Sequence, residues 1–441
     1  MVDKVDVIKV VYKELDVGAL SFDPITGQSA FIYMPKFVSA GIELSPLMMP
    51  LRENYIYNFN ALNPETFKGL PGVLADSLPD DFGNRILNTW LASKGRAANS
   101  ITPIERLRYI GKRGMGALEF LPAEARGELN ANESVQIDEL VAIAQEVLSA
   151  RNEFDAELRS DGSDDQEAML SLLSVGTSAG GARPKAVLAF NKDFTKVRSG
   201  QANVPNGYTH YLMKFDGVTE RNTNKETFGD PLGYGAMEYV YYQMATACDI
   251  DMMPCYLLHE GDRQHFVTQR YDRIGNEKLH VQTLNAMAHV DYKMPGSFSY
   301  EELFLVLREL KMTAVEAEQI LKRMIFNIVA RNHDDHAKNF SFILRDQKWE
   351  LAPAYDLAFS YKPDSFWVDS HWMSLNGKRR DYVLEDILSV EHLSRKFTRK
   401  YVLEVLNHTI EVVSGWKDLA KASNVPGKLI AEVSENLRLK F

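Results

Sequence analysis

The densest polar cluster of the chain is Asn-His-Asp-Asp-His-Ala-Lys-Asn, residues 332–339, directly after an apolar helical pattern. Asp334 is followed five residues later by Asn339, and Asp356 stands downstream in the segment Ala-Tyr-Asp-Leu-Ala. Phosphoryl transfer needs a carboxylate that accepts the proton of the attacking hydroxyl. It also needs an amide and a second carboxylate that hold Mg²⁺ against the nucleotide phosphates. The types and spacing of these three residues therefore favour phosphoryl transfer.

Two other interpretations of this segment stay open. His333, Asp334 and His336 are possible metal ligands, which would indicate a metal-dependent hydrolase. The cluster could also be a solvated loop at a helix end, with Asp356 an ordinary turn aspartate. The oxygen ligands that Asn339 and Asp356 offer suit Mg²⁺ better than zinc, which favours softer ligands.

A glycine-rich segment, 174–185, could bind phosphate, because small residues let backbone amides approach phosphate oxygens closely. It matches neither common nucleotide-binding glycine motif, so a flexible linker is the competing interpretation. Lys214 ends a strand-like segment and could reach the phosphates, and Glu238 on the following helix could form an ion pair with it. Without that context, both would be ordinary surface residues.

The elements that must position these residues follow from hydrophobic periodicity. Residues 5–34 alternate and predict strands joined by a hairpin near Asp23-Pro24. Further strands are predicted at 186–190, 210–215, 265–273 and 340–344, and helices at 137–149, 232–247 and 314–331. Thr313 and Glu316 predict a capping box at the start of the last helix. A mixed first half and a helical second half indicate a two-lobed α+β enzyme.

Composition narrows the class of protein. The 441 residues include 50 basic and 60 acidic side chains, and a net charge of -10 argues against nucleic acid as a whole-surface ligand. The only cysteines, Cys248 and Cys255, lack the spacing of a zinc site and indicate a reducing compartment. Charges recur through the first 15 residues, and no apolar run is long enough to span a bilayer. A cytoplasmic protein without a membrane segment is expected.

The chain resembles the HipA family of serine/threonine protein kinase toxins over nearly its whole length. The similar segments are 72–87 and 111–120 in the amino-terminal part and 178–186, 211–215, 268–273, 332–342 and 353–358 in the kinase part. The resemblance implies an α+β, protein-kinase-like two-lobed fold. Residues 1–122 would form a β-rich accessory domain, 123–272 the small lobe and 273–441 a helical large lobe.

The resemblance also implies roles for individual residues, with ATP and Mg²⁺ as cofactors. Asp334 would be the catalytic base, and Asn339 and Asp356 the metal ligands. Lys214 would contact the nucleotide phosphates, and Glu238 would orient Lys214. The other residues expected at the nucleotide are Gly180, Gly181, Ala182, Arg183 and Lys185 of the phosphate-binding loop, Gln269, Arg270 and Tyr271 of the adenine-binding hinge, and His336 and Lys338 beside the catalytic base.

Ser178 falls where members of the family autophosphorylate, a modification that ejects the phosphate-binding loop and switches the kinase off. Members of this type phosphorylate an aminoacyl-tRNA synthetase and stop translation. A helix-turn-helix antitoxin that binds operator DNA restrains them, and basic clusters at 378–380 and 395–400 could touch that DNA. The alternatives to a kinase are the metal-dependent hydrolase and a non-catalytic protein that binds antitoxin and DNA. Two departures from the family pattern are Gly-Ala-Arg-Pro-Lys in the loop and Gln269 at the hinge.

Overall fold

A computed structural model describes residues 6–93, 95–97, 100–122, 136–149, 183–219 and 229–441. The chain divides into two compact units. The first combines segments within 1–44, 49–235 and 256–281, and the second combines 45–48, 236–255 and 282–441. The accessory region and the sheet expected for the small lobe thus share one unit. The domain limits predicted at 122 and 272 remain predictions.

The first unit is built on two antiparallel sheets. Its strands are β1 (Asp6–Tyr12), β2 (Leu15–Asp23), β3 (Gln28–Tyr33), β4 (Ile56–Tyr57), β5 (Leu118–Leu121), β6 (Lys185–Asn191), β7 (Val197–Ser199), β8 (Tyr208–Lys214), β9 (Val218–Thr219), β10 (Gly229–Asp230), β11 (Cys255–Glu260), β12 (Arg263–Gln269), β13 (Arg273–Ile274) and β14 (Glu277–Lys278). Its helices are α1 (Pro35–Ala40), α2 (Pro64–Phe67), α3 (Gly72–Ala75), α4 (Asp81–Ser93), α5 (Pro103–Ile110) and α6 (Ile137–Ser149).

The accessory sheet has the strand order β4-β3-β2-β1-β5 and contains the predicted hairpin. Asp23 closes the β2–β3 turn, because its carboxylate accepts hydrogen bonds from the Ile25 amide at 2.9 Å and the Thr26 hydroxyl at 2.8 Å. Gly27 completes the turn in the left-handed region, at φ 68°. An aspartate that bonds to the backbone ahead of it is therefore the local cause of this hairpin.

The second sheet has the order β11-β12-β8-β6-β7. One face packs on α4 and α6, where alternate residues of β6 and β8 join Phe82, Ile86 and Leu140 in a buried cluster. Strand β6 is buried along its first six residues, which explains why its sequence is an unbroken apolar run after Lys185. This packing fixes the positions of the lysines at the ends of β6 and β8.

The second unit is mainly helical. Its elements are α7 (Tyr234–Ala247), β15 (His280–Thr283), α8 (Leu284–Met287), α9 (Tyr300–Glu309), α10 (Ala314–Val329), β16 (Ser341–Arg345), β17 (Lys348–Leu351), α11 (Leu384–Leu388), α12 (Arg399–Ser414), α13 (Trp416–Ala422) and α14 (Gly427–Asn436), with α7 and β15 beginning in the first unit. The predicted capping box of Thr313 and Glu316 is present at α10. In the described part of the chain, none of the helices combines the length and the apolar character needed to cross a bilayer.

Candidate active site

The polar loop 332–339 follows the end of α10, and backbone hydrogen bonds join its beginning to Ser360. The amide of His333 donates to the carbonyl of Ser360 at 3.1 Å, and the amide of Ser360 donates to the carbonyl of Arg331 at 3.0 Å. Inside the loop, residues 337–339 form a short 3₁₀ turn, and β16 follows at Ser341. The loop is therefore held at both ends by regular backbone hydrogen bonds, as a precisely placed functional group requires.

Asp334 and Asn339 are joined within this loop. The side-chain amide nitrogen of Asn339, Nδ2, donates to the backbone carbonyl of Asp334 at 2.6 Å. The Asp334 side chain is 41% exposed, and His336 Nε2 lies 3.6 Å from its carboxylate. The five-residue spacing thus allows the side chain of Asn339 to form a hydrogen bond with the backbone of Asp334 across the loop. Because Nδ2 makes this hydrogen bond, the side-chain oxygen Oδ1 is the atom through which Asn339 could bind a cation.

Asp356 is coupled to the same loop through its neighbour Tyr355. The Tyr355 hydroxyl donates to the carbonyl of Lys338 at 2.6 Å, next to Asn339. Asp356 itself adopts a left-handed backbone conformation with φ 53°, which is uncommon for a residue other than glycine and often marks functional positions. An amide oxygen and a carboxylate on linked segments are hard ligands, and this donor set fits Mg²⁺. Tyr355 is a residue whose role the sequence did not reveal.

Asp335, the neighbour of Asp334, has the opposite environment. Its side chain is fully buried, and its two carboxylate oxygens accept hydrogen bonds from backbone and side-chain donors. The donors are the amides of Trp372 at 2.7 Å and Met373 at 3.4 Å, the Tyr300 hydroxyl at 2.7 Å and the His371 imidazole at 2.8 Å. Asp335 is therefore a structural anchor of the loop, while Asp334 carries the accessible carboxylate.

The three possible metal ligands of the hydrolase interpretation do not form a metal site. His333 is completely buried, its Nδ1 lies 3.1 Å from the carbonyl of Val368, and its ring centroid lies 4.1 Å from that of His371. Burial lowers the pKa of His333 to about 2, so the ring is neutral. Among residues that the structure describes, no group of three or more histidine, cysteine, aspartate or glutamate side chains could hold a metal ion. This geometry gives the hydrolase no support.

His336 and Lys338, expected at the nucleotide, lie around one aromatic ring. The ring of Tyr292 has its centroid 5.4 Å from that of His336 and 4.5 Å from Lys338 Nζ. Such contacts orient a cation and an imidazole without neutralising them. Both residues are close to Asp334 in the sequence, and the ring of Tyr292 holds their side chains in a defined orientation.

Glu238, expected to orient Lys214, is buried on α7.

In the first unit, two lysines of the expected nucleotide set are direct neighbours. Lys185 of β6 and Lys214 of β8 are paired in the antiparallel register, which directs both side chains to the same face of the sheet. They are 2% and 6% exposed. Lys185 Nζ lies 3.4 Å from a carboxylate oxygen of Asp80, which precedes α4 and is itself buried. The sequence showed Asp80 only as part of a motif shared with the family, in the segment Leu-Pro-Asp-Asp.

The buried carboxyl of Asp80 makes stability depend on pH. Burial raises the pKa of Asp80 to about 6, and the attraction of Lys185 offsets only part of that effect. Because an unfolded aspartate titrates near pH 4, the folded chain binds this proton more tightly, and the stabilisation is lost as pH rises through about 6. Relative to Asp80→Asn, the free energy of unfolding should fall by up to about 3 kcal/mol over that range. Urea unfolding of both proteins at several pH values tests this, and a constant difference would contradict it.

The residues expected to form the adenine hinge lie at and after the end of β12. The Arg270 guanidinium is buried against Asp272, with nitrogen–oxygen distances of 2.8 and 2.7 Å. Asp272 also accepts from Arg273 at 2.7 Å and from the amide of Gly116 at 2.8 Å. Burial raises the pKa of Asp272, but the two guanidinium groups and this amide outweigh it and hold the pKa well below its usual range. Asp272 thus holds two nitrogens of the Arg270 guanidinium, while the third, Nη1, is buried without a hydrogen-bond partner among the described residues.

Gln269 and Tyr271 flank Arg270 and are both half-buried. Of the expected phosphate-binding loop, Arg183 is half-buried with its guanidinium carbon 5.8 Å from the ring centroid of Tyr234. Gly180, Gly181, Ala182 and Ser178 lie outside the described residues.

Comparisons with known proteins give matches to two family models and to several relatives. A family model described as the HipA-like C-terminal domain matches residues 177–416, and one described as the HipA N-terminal domain matches residues 8–121. Toxin YjjJ of Escherichia coli is 30% identical over 194 residues, which cover 43% of this chain and 40% of that protein. The chain thus spans less than half the length of this relative.

Two matches to HipA of Shewanella oneidensis, one in sequence and one in structure, extend the comparison. The serine/threonine-protein kinase toxin HipA is 21% identical over 368 residues, covering 78% of this chain and 73% of that protein. A solved structure of HipA with HipB and operator DNA from the same organism has a TM-score of 0.66 at 17% identity, covering 97% of this chain and 95% of that one. This likeness confirms the predicted α+β, kinase-like fold. Because the family models together match most of its length, the chain belongs to the HipA family.

Proposed function

We propose that this chain is an ATP-dependent serine/threonine protein kinase that acts as a growth-inhibiting toxin. The observation that carries the proposal is the loop in which Asn339 closes on the carbonyl of Asp334 and leaves the Asp334 carboxylate 41% exposed. Membership of the HipA family and the kinase toxin among its relatives support the same reaction.

In the proposed reaction, the Asp334 carboxylate accepts the proton of a serine or threonine hydroxyl on a protein substrate. The hydroxyl oxygen forms a bond to the γ-phosphorus of ATP as the bond to the β-phosphate oxygen breaks, and ADP leaves. Asn339 and Asp356 would hold Mg²⁺, which neutralises the charge of the phosphates when it is bound. Lys214 would bind phosphate oxygens, and Glu238 would orient that lysine.

The proposal is tested by incubating the purified chain with ATP, Mg²⁺ and a cell lysate and identifying new phosphorylation sites by mass spectrometry. We expect phosphoserine or phosphothreonine on a small set of proteins, with an aminoacyl-tRNA synthetase as the expected class. Chelation of Mg²⁺ should abolish the signal, because carboxylate and amide ligands alone cannot neutralise the phosphates. A chain that binds ATP and Mg²⁺ but labels neither itself nor any lysate protein would contradict the assignment.

Control by an antitoxin is the second part of the proposal. The solved HipA relative is a complex with HipB and operator DNA. We infer that this chain likewise binds a helix-turn-helix antitoxin and reaches operator DNA through it, in the cytoplasm. Several basic side chains of the clusters at 378–380 and 395–400 pair with carboxylates, for example Lys378 with Asp386 at 2.8 Å and Arg399 with Glu391 at 3.7 Å. The antitoxin would therefore supply most contacts to the DNA phosphates.

Autophosphorylation of Ser178 is proposed as an off-switch. A phosphate would add a charge of about -1.5 to -2 to the segment expected to bind the nucleotide phosphates, and would repel them. Protein purified in an active form should therefore carry phosphate on Ser178 and bind ATP weakly, whereas the Asp334→Asn form should be unmodified there and bind ATP. Intact mass and ATP titration of both forms measure this. Equal affinity despite full phosphorylation would remove the switch and leave the kinase assignment standing.

A further inference from the structure

We propose that Asp80, in the accessory region, is a positioning residue for nucleotide binding that acts by fixing the ammonium group of Lys185. The inference rests on the proposed kinase function and extends it to a residue outside the expected nucleotide set. The two side chains meet at 3.4 Å between Lys185 Nζ and Asp80 Oδ2, and they are 2% and 5% exposed. Removing the carboxylate of such a buried pair takes away an opposite charge that lies beside the ammonium group.

Asp80 is itself held in place by backbone hydrogen bonds. The amide of Gly83 donates to its carboxylate at 2.6 Å, and the amide of Asn84 donates to its carbonyl at 2.7 Å. The Asn84 side chain is fixed in turn, because it donates to the carbonyl of Pro79 and accepts from Arg106, both at 2.8 Å. The carboxylate is therefore a rigid point, set by the start of α4 and its neighbours.

Lys185, in contrast, is a long side chain with several rotatable bonds, and its ammonium group needs a partner to keep one position. Its cross-strand neighbour is Lys214, and like charges directly opposite each other in a sheet destabilise it. A carboxylate beside Lys185 lowers that cost and selects one direction for the ammonium group. The pair of lysines on one face is then a preorganised feature for a polyanion such as a nucleotide triphosphate.

Loss of the carboxylate would undo this arrangement. Without that carboxylate, the Lys185 ammonium group is no longer drawn to the position that the rigid Asp80 side chain selects. Lys185 then presents its positive charge to the phosphates in a less defined direction. Because one charge-assisted hydrogen bond to the nucleotide would then be missing, we expect about a tenfold weaker affinity for ATP.

The test is a calorimetric titration of the full chain with a non-hydrolysable ATP analogue and Mg²⁺. Asp80→Asn should raise the dissociation constant about tenfold, and the KM for ATP should rise with kcat changed less than about twofold. Asp81→Asn is the matched control, because this adjacent aspartate is exposed and its replacement removes the same charge. Asp80→Glu, which keeps the charge, should bind within about threefold of the wild type.

A double variant separates positioning from general damage. If Asp80 acts through Lys185, then Lys185→Met and Asp80→Asn/Lys185→Met should bind the analogue equally. This comparison also serves if Asp80→Asn alone does not fold, because Lys185 is absent from both of these proteins. Wild-type affinity in a folded Asp80→Asn, or a further loss in the double variant, would overturn the inference. A wild-type chain that does not bind the analogue at all would overturn the proposed kinase function itself.

Discussion

Asp334→Asn is expected to reduce phosphoryl transfer by at least about 100-fold while leaving the fold intact. The substitution removes the carboxylate that would accept the hydroxyl proton, yet it preserves the backbone carbonyl to which Asn339 donates. Because the side chain is 41% exposed, the substitution disturbs little of the packing around it. Single-turnover phosphorylation measures the rate, and titration with ATP should give an affinity close to that of the wild type.

Asp356→Asn should have an effect of similar size through a different step, because it removes a proposed ligand of Mg²⁺. Its matched control is Asp346→Asn. Asp346 has the same left-handed backbone conformation, φ 48° against 53°, but lies exposed in the turn between β16 and β17. Near-normal rates in both Asp334→Asn and Asp356→Asn would contradict the kinase assignment. A comparable loss in Asp346→Asn would show that the substitution acts through the backbone.

Elements governed by local pattern could be predicted from the sequence. The helix predicted over 137–149 is α6, Ile137–Ser149, and the start of α10 follows from its capping box. Elements whose limits depend on tertiary contacts could not be predicted in this way. The strand predicted over 265–273 spans Arg263–Gln269, and the residues after it form the buried pair of Arg270 and Asp272. Val315, in the first turn of α10, is apolar and yet 66% exposed.

The candidate site likewise contains residues that local sequence spacing identifies and residues that it does not. The relation between Asp334 and Asn339 is local, so their spacing carried the information, and the structure adds the hydrogen bond that explains it. Asp80 could not be recognised, because its partner Lys185 lies 105 positions later and no periodic pattern links them. Sequence spacing marked Asp334 as the functional member of the Asp334–Asp335 pair, but the environment of Asp335 depends on residues far along the chain.

Asp335→Asn is expected to destabilise the second unit by about 3 kcal/mol, in contrast to its neighbour. From the sequence alone, this variant would be the milder one and a control for Asp334→Asn. For stability, the structure predicts the larger effect for Asp335→Asn, because the buried carboxylate accepts hydrogen bonds from Tyr300, His371 and the amide of Trp372. An asparagine offers one acceptor oxygen in place of two, and its amide nitrogen would face donors.

Two measurements distinguish this effect from a loss of catalysis. Urea unfolding should show a lower midpoint for Asp335→Asn and an unchanged one for Asp334→Asn. Hydrogen exchange should accelerate at the amides of Trp372 and Met373, because both donate to the Asp335 carboxylate. If both amides keep wild-type protection and the midpoint does not move, the carboxylate is not the anchor of this loop. If the carboxylate is the anchor, activity in Asp335→Asn should fall only through the fraction of chains in which the loop is disordered, so the loss should grow with temperature as that fraction rises.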